Sequence, residues 1–172
     1  MKTNRVLGLI LATAVGLSTS VVSAEGITGF QEFQFGMSLS EVQAIASLTP
    51  TERSGPGNWY EASHMVTILG DDYNQLLVFN DEGRLFEVHV TREFGSNRSS
   101  CRIEFEKVYR AVLARYSEPD RPPERADLGI AELNAADFTQ RDGSKVRPSS
   151  TYLSNKCILS VAYIAVPVGV GF

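Results

Sequence analysis

Two cysteines, Cys101 and Cys157, constrain this chain more than any other pair of residues. If they join, the segment around the first must lie across the segment around the second. From Ser100 to Tyr116 the residues Cys101, Phe105, Val108, Tyr109, Val112, Leu113 and Tyr116 recur at spacings of three and four. Arg102, Glu104, Glu106, Lys107, Arg110 and Arg115 fall on the other side, which predicts an amphipathic helix with a wet charged face. Cys157 opens an apolar run to Val166 in which Cys157, Leu159, Val161 and Tyr163 alternate onto one face of a strand. A bridge between them pins that helix across a sheet. Closing so long a loop stabilises a fold by ~4 kcal/mol on the chain-entropy model.

Whether the cysteines pair depends on the compartment. Residues 1–24 read as a signal peptide: Lys2 and Arg5 are the basic start, Val6 to Leu17 the apolar stretch, and Val22-Ser23-Ala24 the cleavage site. The apolar run is shorter than the ~20 residues that span a bilayer, and no cysteine at the cleavage site offers a lipid anchor. The expectation is a periplasmic or secreted protein, residues 25–172, with Cys101 and Cys157 oxidised to a disulfide. No C-x-x-C supports a metal or redox role instead.

Loss of Lys2 and Arg5 takes the net charge from −4 to −6. No run of Lys or Arg follows, so neither nucleic acid nor an anionic membrane is an expected partner. No nucleophile elbow, HExxH, P-loop or dinucleotide fingerprint occurs, and no cofactor is expected. His64 and His89 are the only histidines, too few for a metal site without a third ligand. The expectation is a protein without catalysis. The rival expectation is an enzyme (hydrolase or metal-dependent) with an unrecognised site, or a small-ligand carrier.

Ser38-Leu39-Ser40-Glu41 is a capping box that starts a first short helix, with Val42, Ile45 and Ala46 on one face and Pro50 as a stop. Between the helices, Trp59–Leu69, Leu76–Asn80 and Leu85–Phe94 read as strands, with a turn at Asn80-Asp81-Glu82-Gly83. Glu118 to Asp127 reads as a Pro-rich surface loop. Phe138–Arg141, Val146–Leu153 and Cys157–Val166 complete a second set of three strands. The fold class is α+β: two helices packed on one face of an antiparallel β-sheet. The order leaves open a tandem αβββ repeat with halves 25–97 and 98–172, or two unrelated units with similar local grammar.

Gly36-Met37-Ser38-Leu39-Ser40-Glu41-Val42 resembles the G-M-[ST]-x-x-[EQ]-V signature of small bacterial envelope domains, the SmpA/OmlA-like assembly lipoproteins. The β-lactamase inhibitor protein has a related fold built as a tandem repeat. The resemblance covers about a tenth of residues 25–172. It implies a helix started by the motif and packed on a small antiparallel sheet, and a module that binds a protein.

The candidate binding residues lie near Gly55-Pro56-Gly57, a turn that delivers Trp59 and Tyr60. Both side chains bury large area at small entropic cost. Asp71, Asp72 and Tyr73 join them if the first strand is long enough to bring both to one end of the sheet. Trp59 as a cap on the core is the competing reading. The expected partner is an envelope protein or a secreted hydrolase that this module inhibits. The C-terminal alternation up to Phe172 is that of a tail over a sheet edge, since a membrane β-barrel would not carry a charged helix at its middle.

Overall fold

The computed structural model describes residues 26–53, 55–116, 118–127, 131–153 and 155–166. The predicted signal peptide and the final residues 167–172 lie outside them. The described chain is α+β. A two-stranded hairpin, β1 (Gly29–Phe30) and β2 (Phe33–Gln34), precedes α1 (Leu39–Gln43). Then come β3 (Leu48–Pro50), β4 (Asn58–Ala62), β5 (Val66–Ile68), β6 (Asp71–Phe79) and β7 (Leu85–Glu93). After α2 (Arg98–Tyr116) follow β8 (Arg121–Asp127), β9 (Ala131–Thr139), β10 (Lys145–Leu153) and β11 (Lys156–Ile164).

The main sheet runs β3-β4-β6-β7-β11-β10-β9-β8, every pairing antiparallel, with β5 beside the start of β6. Each half is thus a helix followed by a meander, and β7 and β11 join the halves at the centre. Each half contributes four strands to this path where the sequence reading counts three. Pro50 with Thr51 fixes β3 as an edge strand, and Glu118 to Asp127 is not a loop: β8 forms the opposite edge. Pro122 and Pro123 sit there at an irregularity between Arg121 and Glu124, where a missing N–H costs no ladder bond.

The capping box forms as read. Ser38 Oγ accepts from the Glu41 amide at 3.3 Å, and Glu41 Oε2 accepts from the Ser38 amide at 2.7 Å. α1 is shorter than expected; Val42 and Ala46 are buried, whereas Ile45 faces solvent. Gly36 turns at φ 88, the left-handed region open to glycine. Trp59–Leu69 is two strands, because the chain leaves the sheet at Ser63–Met65 and returns as β5.

All helical packing falls on one face of the sheet. Val42 and Ala46 of α1 join Ala62, Leu77, Phe79, Leu85 and Val88 in one cluster. Phe105, Val108 and Val112 of α2 join Tyr73, Val90, Phe138, Val146, Leu159 and Val161 in the other. Cys101 and Cys157 are bonded, their Cα atoms 6.2 Å apart, so α2 is fixed to the start of β11 as its position in the pattern requires.

Glu104 departs from the wet face assigned to it. It is buried, accepts from the Tyr73 hydroxyl at 3.2 Å and pairs with Lys107 at 3.2 Å. Lys107 also reaches Asp71 at 2.9 Å, and Asp71 holds Arg92 at 2.6 Å. Burial, with Glu104 beside it, drives the Tyr73 hydroxyl well above the ordinary tyrosine range. A helical period cannot distinguish a solvated carboxylate from one met by a tyrosine beneath it. The opposite surprise is Ile103, 66% exposed among the charges of α2.

Replacing both cysteines by serine should lower the unfolding free energy by ~4 kcal/mol, the entropy of the loop they close. Urea unfolding of the oxidised protein and of the double variant measures it; equal midpoints would show that helix packing alone sets α2.

Candidate functional site

Strand alternation leaves a second face that, among the described residues, no helix covers. The register defines it row by row. Glu61, Leu76, His89, Ala162 and Arg147 stand side by side on β4, β6, β7, β11 and β10. One step along, Asn74, Thr91, Ser160, Ser149, Ala135 and Glu124 form a row of mostly small side chains from β6 to β8. One step the other way are Trp59, Val78, Glu87, Ile164 and Lys145. Eight strands at ~4.8 Å spacing make the face roughly 34 Å wide.

Taller groups stand in the rows beside the small-residue row, one towards β4 and one towards β9, with Ala162 of β11 between them. On the β4 side the Trp59 indole lies against the His89 ring, centroids 4.9 Å apart, and Arg53 sits over the indole at 5.7 Å. His89 Nε2 is 2.7 Å from Glu87 Oε2, which fixes the imidazole. On the β9 side Arg147 holds Asp137 through two nitrogens, at 2.5 and 3.1 Å. That bidentate contact keeps the Asp137 carboxyl below the ordinary carboxylate range and the guanidinium above its own. Arg121, Glu124, Leu133, Asp137, Arg147 and Ser149 line a groove of about 340 Å3 beside the pair. Leu133 and Leu153 add exposed apolar surface at the far corner, 37% and 47% accessible.

The loop before Trp59 is built to press on this face. The Thr51 amide donates to the Trp59 carbonyl at 2.9 Å, closing it. Gly55 passes so near the indole that a Cβ there would come within 3.3 Å of Nε1. Gly57, at φ 83, lies against the Phe79 carbonyl and the Val78 and Phe86 side chains; a Cβ would meet the carbonyl oxygen at 2.6 Å. Trp59 Nε1 is buried beneath this turn without a hydrogen-bond partner among the described residues.

The five candidate residues are not brought together. Trp59 is on the uncovered face, so it is not a cap on the helix-covered core. Tyr60 points the other way and meets Phe79 edge-on at 5.5 Å. Asp71, Asp72 and Tyr73 lie at the opposite end of β6: Trp59 pairs with Val78, seven residues from Asp71, or ~24 Å along a strand. Tyr73 is fully buried and Asp71 belongs to the Arg92–Lys107 network, while Asp72 accepts from Thr67 at 2.8 Å. Asp71 and Asp72 begin a strand; the turn is at Leu69-Gly70. Arg147, Asp137, Glu87 and Arg121 escape the sequence reading, though Arg147 had a signal, as the polar member of the alternation Val146-Arg147-Pro148.

Among the described residues no three His, Cys, Asp or Glu stand close enough to hold a metal ion, and no helix is long and apolar enough to cross a membrane. No protein-family model matches the chain, and no curated protein or solved structure matches it.

Gly57→Ala should destabilise the fold by about 1–3 kcal/mol, from the left-handed backbone and the blocked approach to β6. Urea unfolding followed by tryptophan emission reads both stability and the displacement of the indole. The Asp137 carboxyl is depressed in the fold, so its pairing contributes stability above the ordinary carboxylate pKa and loses it as pH falls through the depressed value. Asp137→Asn should therefore flatten the acid limb of the stability profile below about pH 4. Thermal unfolding between pH 2 and 7 checks this; parallel profiles for variant and parent would remove the pair from the account.

Proposed function

We propose that the chain is an exported protein-binding module that holds its partner on the uncovered sheet face without making or breaking bonds. One observation carries the reading: two pre-built anchor groups, Trp59–His89–Glu87 and Arg147–Asp137, stand on either side of the small Ala162 of β11 and border a row of mostly small side chains on the same face. Its full extent, roughly 34 Å by the ~27 Å length of a nine-residue strand, sets an upper bound on the order of 900 Å2; β3, β4 and β8 are shorter, and Leu76 and Val78 are already buried. A standard protein interface takes about 800 Å2 from each partner.

The anchors are of the types that concentrate binding energy, a tryptophan and an arginine held by neighbours rather than free to rotate. The positioned rings limit the entropy lost on binding. The buried, unpartnered Trp59 N–H is a standing cost of about 1–3 kcal/mol, which a partner's carbonyl relieves if the Gly55 turn moves aside. The Cys101–Cys157 bond supports export to an oxidising compartment, as does the predicted signal peptide with cleavage after Ala24. The Gly36–Val42 resemblance to envelope and inhibitor domains points the same way, to an envelope protein or a secreted hydrolase as partner.

Photo-crosslinkers at Ser160, at the centre of the face, and at Arg110, on the outer surface of α2, test it in living cells. Ser160 should give one discrete adduct and Arg110 none. Trp59→Ala and Arg147→Ala should each weaken the adduct by at least about tenfold, as hot-spot truncations do. Equal labelling from both positions, or none from Ser160, would falsify the assignment of the face.

A further inference from the structure

A second cavity lies across the sheet, on the helix-bearing side, where β1, β5 and the end of α2 meet. It encloses about 330 Å3 and is lined by Phe30, Thr67, Ile68, Arg115, Tyr116 and Tyr163. That is the lower end of the range for small-molecule pockets. One wall is apolar: the Phe30 and Tyr163 rings lie 4.6 Å apart, with Ile68 beside them in the core cluster. Thr67 is already committed to Asp72.

Besides the exposed amide of Gln31, three donors remain. The Tyr116 and Tyr163 hydroxyls and the Arg115 guanidinium have no hydrogen-bond or ion-pair partner among the described residues. Arg115 rests over the Tyr116 ring at 5.5 Å and, itself exposed, lines the cavity. Burial raises both phenols above the ordinary tyrosine value, so they stay protonated and donate. All three side chains line the same cavity. Among the described residues no carboxylate lines the cavity.

We propose that this cavity is a binding site for a small organic monocarboxylate, its carboxylate on Arg115 and the two tyrosine hydroxyls and its apolar body against Phe30 and Ile68. The guanidinium fork matches a carboxylate in two parallel bonds, and the phenols donate to its remaining lone pairs. A single cation sets the charge the site accepts. α2 ends at the same place, and its C-terminal carbonyls oppose any anion, so the attraction must come from Arg115 and a phosphate dianion is disfavoured more strongly than a monocarboxylate. The site is separate from the uncovered face and does not depend on a protein being bound there.

Phenylacetate, hexanoate and their neutral amides, titrated into the folded protein, provide the probe. At least one acid should shift the NMR signals of Ile68 and of the Tyr116 and Tyr163 rings and raise the thermal midpoint. Its amide should bind about tenfold more weakly or worse, since a charge-assisted hydrogen bond is lost. Arg115→Gln, at an exposed position that the fold does not use, should reduce the acid to the level of its amide. The proposal is overturned if neither acid binds, if acid and amide bind alike, or if Arg115→Gln leaves the acid's affinity unchanged.

Discussion

The structure depends on one ladder, the pairing of β7 with β11. Seven residue pairs, from Ile158 opposite Glu93 to Ile164 opposite Glu87, are the contact that makes two meanders into one sheet. Val90 and Val161 meet at its centre and turn the same way, into the α2 cluster. Their neighbours His89 and Ala162 turn the other way, to the uncovered face. A slip of one residue there would exchange the two faces along the whole of the second half. The disulfide acts on the same junction, because Cys157 begins the strand that forms it. Covalent closure and backbone register therefore enforce each other.

That ladder also explains why both described helices cover the same side of the sheet. Both helices follow the same short path from a preceding strand onto the same face, and both clusters contain residues of β7 or β11. The burial alternation in β10 is its trace: Val146, Pro148 and Ser150 are buried, and Lys145, Arg147 and Ser149 are only partly so. The open side is not merely wet. It carries fixed side chains, among them a guanidinium tied to a carboxylate and an imidazole held between a carboxylate and an indole. Fixed groups of that kind recognise a surface at lower entropic cost than free ones.

Much of this was legible in the residues. The S-x-x-E box, the three-and-four spacing from Cys101 to Tyr116 and the alternation from Cys157 to Tyr163 each report a local period, and each became the predicted element. What escaped was what a period cannot encode. Glu104 reads as solvent-facing until Tyr73 is known to stand beneath it. Pro122 and Pro123 read as loop because prolines are excluded from strand interiors, yet an edge strand at an irregularity accepts them. Trp59 and Asp71 are close in sequence, but antiparallel pairing sends them to opposite ends of β6. The Arg147–Asp137 pair joins β10 to β9, and neither residue alone marks a site.

The two rims of the sheet carry a further consequence. β3 is three residues long and ends in Pro50, and β8 carries Pro122 and Pro123. Pro50 ends the first rim, and Pro122 and Pro123 interrupt the amides of the second, which shortens the run on which another chain could lay down a strand. Strand addition at either rim, the route to fibrils and strand swapping, is correspondingly hindered. Edge-to-edge polymerisation is thereby disfavoured by the same prolines that end the sheet.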